Sequence, residues 1–564
     1  MIINNSFFLL LLFLIFPSFN FAFNPQDDDP AILTLERGVV CVPIVQKSKS
    51  SKPNIHIYVD HILTTDQTLT DTLRFPVFIF RALDIDQFDN MPDQNKFYEL
   101  YSKNKNQLYK DLHIDSDKAE FVIGDKVDKS RYWNGFITLD HGIKQESQNV
   151  DVQFNAPETG IYCVYIAPPI IPELKSITVP VNFVNGYGNL SFLNYEHYKT
   201  LRWLILISII LFVAMFKHIL KFVDDQDFKN LNQISIISKG IIIYVIPPLF
   251  AVSVFEYLIL FIRNRYISFH TQLASTFTSL FLIKLPLFIT ASFFVYTKFI
   301  VLLFAMGYGV IYYHSGNSSR YRKFPERRFT IALSLLITNL ILVAAFALFY
   351  TETLDKHPYP FIIQMTSDII FNITKKEPSS TSPAYSTTVG KSAFLVLVSF
   401  LIQILSLVWM VLSMVYYFVT KRTIAQFPPV PSSAPNSTDK VIRAFRLSMW
   451  VIFGLPVLVG ALFIFGSVWK LSQNLDLDAL SPDSPPPANG PELFSWMFKI
   501  WEAAEFKGNF FLFQIWGDYL SVILFIGLMF MIWVKENNGL VVDSGADDPI
   551  EYADVSEFEI NDDD

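Results

Sequence analysis

The sequence predicts a multi-domain membrane protein: an amino-terminal all-β sandwich, then an α-helical bundle that crosses the bilayer seven times. Three observations carry this. Of the 564 residues, 51% are hydrophobic and 16% aromatic, and apolar runs of about 20 residues, the length a helix needs to span hydrocarbon, recur through the second half. The region after the amino-terminal leader holds short β-type runs with turn residues between them. A polar loop with Arg320, Arg322, Lys323, Arg327 and Arg328 follows the apolar stretch 271–310, and such a Lys/Arg excess beside a membrane segment marks the cytosolic side. The net charge of −8 says little, because charge is divided by side of the membrane. No nucleic-acid partner is read from it.

Taken in order, residues 1–22 read as a signal peptide: an apolar core Phe7–Phe16, then Pro17 and a small-residue site near Ala22. The alternative, a signal anchor, would need a longer apolar run. Residues 23–195 form the expected lumenal domain, with strands at Gly38–Val45, Ile55–Val59, Phe75–Phe80, Phe136–Leu139, Val150–Phe154, Gly160–Ile166 and Ile177–Val184. Several alternate apolar and polar residues, which predicts an antiparallel sandwich with one face of each sheet buried. The more polar stretch from Asp84 to Lys118 reads as an insertion with some helix. The chain has two cysteines, Cys41 and Cys163, and both fall here. An oxidising lumen would let them pair, closing a loop worth roughly 4–5 kcal/mol in the chain-entropy picture; two unpaired buried thiols are the alternative. His56, His113 and His141 are scattered, and no metal-binding or catalytic pattern occurs. Recognition is therefore expected rather than catalysis, with no cofactor.

Within the membrane domain, 196–535, spans are expected near 201–221, 240–262, 329–350, 393–419, 447–469 and 517–534. The stretch 271–310, roughly 60 Å as a straight helix, is long enough for one crossing or two. Charge decides for one. Seven crossings from a translocated amino terminus keep the 314–328 loop and the 420–446 loop (Lys421, Arg422, Lys440, Arg443, Arg446) in the cytosol. Arg263 and Arg265 then lie on the lumenal side, against the bias. Asn189 and Asn372 head lumenal glycosylation sequons, whereas Asn317 and Asn436 would be cytosolic and unmodified. An amphipathic aromatic stretch with Trp496, Trp501 and Trp516 is expected to lie at the membrane interface.

Glu256 is the sharpest polar feature, because a carboxylate within an apolar helix is costly and normally faces a bundle interior, a cavity or a cation. Lys284 or Lys298 is the expected partner. Two readings stand: a centre sensitive to ligand or protons, or a structural ion pair. Asn339 and Gln403 are read as interhelical hydrogen-bonding groups. Gly307-Tyr308-Gly309 is a close-packed helix end; a potassium filter would need a re-entrant loop and a preceding Thr-Val. The acidic tail, 536–564, contains Tyr552-Ala553-Asp554-Val555, in which Tyr552 and Val555 fit a tyrosine-based sorting signal for cytosolic adaptors. Ser544 and Ser556 each precede an acid by three residues. A solvated disordered tail accounts for the same charges.

Thr159-Gly160-Ile161-Tyr162-Cys163-Val164-Tyr165 resembles the closing strand of a GOLD-type lumenal sandwich. Asn185-Gly186-Tyr187-Gly188-Asn189-Leu190 resembles the N-x-Y-G-x-L juxtamembrane signature of the GOST family, the GOLD-domain seven-transmembrane-helix proteins. Glu256 in the second span, Gly307-Tyr308-Gly309-Val310 closing the third and the order of parts agree with it. The chain departs from the pattern at Ser191-Phe192, where Pro-Ala is usual, and at Pro247-Pro248 in the second span. The resemblance implies residence in the Golgi and neighbouring endosomes and a role in membrane traffic, through lumenal recognition of a protein or lipid-modified cargo coupled to the bundle. A receptor or channel-like role is the other implication, and no catalytic residues carry over.

Overall fold

The computed structural model describes most of residues 31–534; outside it lie 1–30, 47–52, 65–72, 89–109, 140–150, 168–176, 223–235, 267–279, 314–321, 355–383, 427–436, 475–494 and 535–564, with shorter stretches between. The expected signal peptide, His141, Asn317, Arg320, Asn372, Asn436, Trp496, Ser544, Tyr552, Val555 and Ser556 therefore lie outside the described residues.

The amino-terminal part is two antiparallel sheets packed face to face. Strands β1 (Ala31–Thr34), β3 (Asn54–Ile57), β4 (Leu63–Thr64), β9 (Val152–Asn155) and β11 (Ile177–Val184) form one, in the order β1-β11-β3-β9 with β4 also on β11. The other is β2 (Val39–Ile44), β10 (Gly160–Ile166), β5 (Leu73–Arg81) and β8 (Tyr132–Leu139), in the order β2-β10-β5-β8. Between the sheets sit Val40, Ile55, Ile57, Phe75, Val77, Ile79, Tyr162, Val164, Val179 and Val181. Fully burying side chains of this size contributes about 1.5–3 kcal/mol each before the entropy cost of ordering them.

The expectation of one buried face per sheet fails for the second sheet. Its outer face carries Val39, Cys41, Phe78, Phe80, Ile161, Cys163 and Tyr165, all buried. They are covered by a short 3-10 helix (Ala82–Gln87) with Phe88, by the hairpin β6 (Ile114–Asp115) and β7 (Glu120–Phe121), and by Phe498, Trp501 and Phe506 from the far end of the chain. Strand β10 is accordingly buried along its whole length, and its unbroken apolar sequence is the signature of a strand covered on both sides. Cys41 and Cys163 face each other across β2 and β10 and form a disulfide.

The carboxyl-terminal part is helical: α1 (Phe192–Phe222), α2 (Ile236–Arg265), α3 (Leu280–Ala305), α4 (Glu326–Leu354), α5 (Ala384–Ala425), α6 (Ser437–Asn474) and α7 (Phe510–Val534). Six of these contain a stretch long and apolar enough to cross a membrane, and α7 adds a shorter apolar stretch, Tyr519–Val534. The helices form a closed ring, each packing on the next in sequence and α7 returning to α1, while α3 also meets α5. Outward-facing Trp450, Ile341 and Phe465 are 70%, 63% and 67% exposed, an apolar outer surface that suits a hydrocarbon solvent. The described part of the stretch 271–310 holds one candidate span, Leu280–Ala305.

Two proline problems are solved alike. Helix α2 widens to a π-turn at Ile241–Val245 just before Pro247 and Pro248, and α3 does so at Leu280–Lys284 just before Pro286. Proline has no N–H, so the carbonyl four residues earlier loses its helical donor. Tyr244 is that residue for Pro248, and its carbonyl accepts from the Tyr296 hydroxyl at 2.9 Å. Leu282 is that residue for Pro286, and its carbonyl accepts from Arg263 Nη1 at 3.4 Å. Neighbouring helices thus supply donors to the Tyr244 and Leu282 carbonyls, in place of those that Pro248 and Pro286 lack. Arg263 is 2% exposed; it belongs to the helix packing rather than to a loop charge.

At the opposite end from the sandwich, α3 stops in the turn Gly307-Tyr308-Gly309, with φ of 91° and 78° at the two glycines. The Thr420 hydroxyl of α5 donates to the Ala305 carbonyl at 2.7 Å. Tyr312–Tyr313 then pairs in parallel with Arg322–Lys323, and Arg328 lies over the Tyr312 and Tyr416 rings at 5.5 and 5.6 Å. The basic loop is therefore pinned where it meets the bundle.

Candidate functional site

The junction between the sandwich and the helices begins with the segment after β11. Asn185 Oδ1 accepts from the Val45 amide at 2.7 Å, and its Nδ2 donates to the Leu190 carbonyl at 2.8 Å. The side chain thereby folds 185–190 into a compact joint against the end of β2. Asn264, at the end of α2, donates from Nδ2 to the Tyr187 carbonyl at 3.2 Å and accepts from the Leu190 amide at 3.4 Å. Gly188 has φ +133°, and a Cβ there would lie 2.1 Å from Asn264 Oδ1 and 3.0 Å from the Asn264 carbonyl. Only glycine allows both the backbone angle and the approach of α2. Tyr187 stacks on Tyr195 of α1, with centroids 3.8 Å apart. Asn189 sits within this joint, half-buried.

Just inside the bundle lies a buried polar centre built from four helices. Glu256 of α2 is 4% exposed and His197 of α1 is 2% exposed. His197 Nε2 lies 3.3 Å from Glu256 Oε2, and the Thr290 hydroxyl of α3 donates to Glu256 Oε1. The Tyr519 hydroxyl of α7 lies 3.0 Å from His197 Nδ1. With Glu256 ionised, only a donor can face it, so the imidazole proton sits on Nε2 and Nδ1 accepts from Tyr519.

The expected lysine partners of Glu256 are replaced by this set. Lys298 lies eight residues beyond Thr290, about 12 Å along the helix, and donates to Ser406 Oγ of α5 at 2.7 Å. Lys284 lies six residues before Thr290, about 9 Å along the axis, where it closes the π-turn of α3. Asn339 also departs from expectation: it is fully buried, yet neither side-chain polar atom has a hydrogen-bond partner among the described residues. His197 and Tyr519 escaped the sequence reading because each lies at the edge of its helix's apolar stretch, where a polar residue usually means a wet end. No periodicity separates that case from a buried one.

A second attachment joins the sandwich to the segment before α7. Arg81, at the end of β5, donates from Nη1 to Glu158 at 2.6 Å and from Nη2 to Glu502 at 2.7 Å. Arg131 Nη2 reaches Asp84 at 3.1 Å and Glu158 at 3.0 Å. The Ser495 hydroxyl donates to Asp86 at 3.2 Å. Phe498 and Trp501 fill the aromatic face described above, so Trp501 is buried against the sandwich and does not lie at the membrane interface. Trp516 is 37% exposed. Gly160 has a specific duty here: a Cβ would stand 2.6 Å from Arg81 Nε, so its absence lets the guanidinium lie across β10. Burial raises the Asp84 pKa, partly offset by Arg131 and Arg81. Burial pulls the Arg81 pKa down, but Glu502 and Glu158 together more than reverse this. Burial pushes Tyr162 up to about 12.

Among the described residues, no group of three or more His, Cys, Asp and Glu side chains converges as a metal site. Compared with family models and with curated proteins, the chain matches neither a family nor a relative.

Proposed function

We propose that this chain is a Golgi membrane protein, cycling to endosomes, that acts in membrane traffic: its β domain recognises a lumenal protein or lipid-modified cargo, and the helices transmit that recognition across the membrane. On this reading it is a member of the GOST family, α7 makes a seventh crossing, the tail is cytosolic, and Tyr552 and Val555 engage sorting adaptors. The observation that carries it is the double attachment. The sandwich grips α2 through Asn264 and the segment before α7 through Glu502, and those two helices supply Glu256 and Tyr519 to one buried centre. A recognition domain tied at two points to helices that share a polar centre is built to convert a shift of the domain into a rearrangement within the bundle. The experiment is localisation of the tagged full-length protein, intact and with 536–564 removed, with glycan mapping at Asn189 and Asn372. Perinuclear and punctate signal that shifts when the tail is removed is expected. A plasma-membrane distribution unmoved by the truncation would refute the sorting role, and a glycan on Asn317 would refute the topology.

The buried centre favours a second reading, a receptor or channel-like bundle gated by ligand, protons or tension. Purified protein in liposomes decides it: this reading expects a proton-dependent flux that Glu256→Gln alters. No flux in either protein would remove it.

A further inference from the structure

On the outer face of α1, near its sandwich end, Arg202 is exposed beside Trp203, itself 56% exposed. The guanidinium is held on a platform contributed by two helices. Tyr198 of α1 and Tyr257 of α2 stack with centroids 4.9 Å apart and planes 11° from parallel. The Arg202 guanidinium carbon lies 4.5 Å from the Tyr198 ring centroid and 5.8 Å from that of Tyr257. Its Nη2 donates to the Tyr198 hydroxyl at 2.7 Å, which in turn donates to the Tyr257 hydroxyl at 3.2 Å. Among the described residues no carboxylate pairs with Arg202, and Glu196 on the same helix is engaged by Lys199.

The position of this unneutralised charge is set by the sequence that follows it. From Trp203 to Phe216 there is no charged residue, about 21 Å of helix at 1.5 Å per residue. Leu206 and Ile210, four and eight residues beyond Arg202 and so on its face, are 46% and 56% exposed. Arg202 thus stands at the boundary between headgroups and hydrocarbon, with a lipid-facing stripe directly below it. A planar guanidinium with no protein carboxylate paired to it among the described residues matches the phosphate that phospholipid headgroups share.

We propose that Arg202, Tyr198 and Tyr257 form a binding site for the phosphodiester of a membrane phospholipid in the leaflet on the sandwich side, with an acyl chain along Leu206 and Ile210. The tyrosine platform fixes the plane of the guanidinium, so the site retains a lipid rather than merely attracting the headgroup layer. The test is native mass spectrometry of the full-length protein in detergent, offered phosphatidylcholine or diacylglycerol with the same chains. Wild type retains phosphatidylcholine and not diacylglycerol, and Arg202→Gln weakens retention roughly tenfold. Arg202→Lys recovers only part of it, because an ammonium does not lie flat on the rings. Equal retention by wild type and Arg202→Gln overturns the proposal, as does equal binding of diacylglycerol. Displacement of the lipid by inorganic phosphate overturns the lipid assignment in favour of a free-anion site. Should Arg202→Gln fail to fold, Tyr257→Leu removes half the platform and keeps the charge; the same weakening is expected, and unchanged retention overturns the proposal.

Discussion

Glu256 shows how far single residues can be read. Its burial follows from its place in an apolar run, but its partners do not, because they come from residues 59 and 34 positions away. Removing the donor from a buried carboxylate oxygen leaves that acceptor unsatisfied, at a cost of about 1–3 kcal/mol or more for a charged group. His197→Ala should therefore lower thermal stability strongly, whereas His197→Ala with Glu256→Gln should recover much of the loss; a double-mutant cycle by thermal melting measures the difference. Asp84 offers a pH test. Its native pKa is raised by burial, so its contribution to stability is fully present below the ordinary aspartate value near 4 and is lost as pH rises through the raised value. Relative to Asp84→Asn, the wild-type melting temperature should fall as pH rises across that window.

Elements were more legible than their surroundings. The seven β-type runs each coincide with a strand, because period and composition are local properties. The second covering of the β2-β10-β5-β8 sheet was not legible, since part of the cover lies more than 400 residues away in sequence, as the Arg81–Glu502 pair shows with a separation of 421. Residues 185–190 stood out in the sequence, but the approach of Asn264 to Gly188 needed the fold. Pro247 and Pro248 looked like departures in a span, and the structure answers Pro248 with a donor from the neighbouring helix. Tyr296→Phe should cost about 1 kcal/mol in the native sequence by leaving the Tyr244 carbonyl without that donor. The same change should cost less when Pro248→Ala restores an N–H within α2, and unequal melting shifts across the two backgrounds check this.

For the whole molecule, the two attachments make a mechanical prediction. Glu502→Ala breaks the ion pair to Arg81 but leaves Phe498 and Trp501 in place, so the sandwich should stay folded while the segment before α7 loosens. Hydrogen exchange should rise in residues 495–506 and at the start of α7, with protection of β10 unchanged. If exchange rises uniformly through β5 and β10 instead, the pair serves the stability of the sandwich and does not act as a separate clasp. Charge reversal at both positions, Arg81→Glu with Glu502→Arg, would fail to restore protection, because Glu158 also depends on Arg81.

The placing of β11 sets a timetable for biosynthesis. It pairs with β1, β3 and β4 yet is the last strand before α1, so its sheet cannot assemble while the first 176 residues are being made. Cys41 likewise emerges 122 residues ahead of Cys163, a wait of roughly 6–24 s at 5–20 residues per second. During that interval a nascent chain holds a reactive thiol and unpaired strands. The first hydrophobic helix then reaches the insertion machinery almost as soon as the sandwich can close.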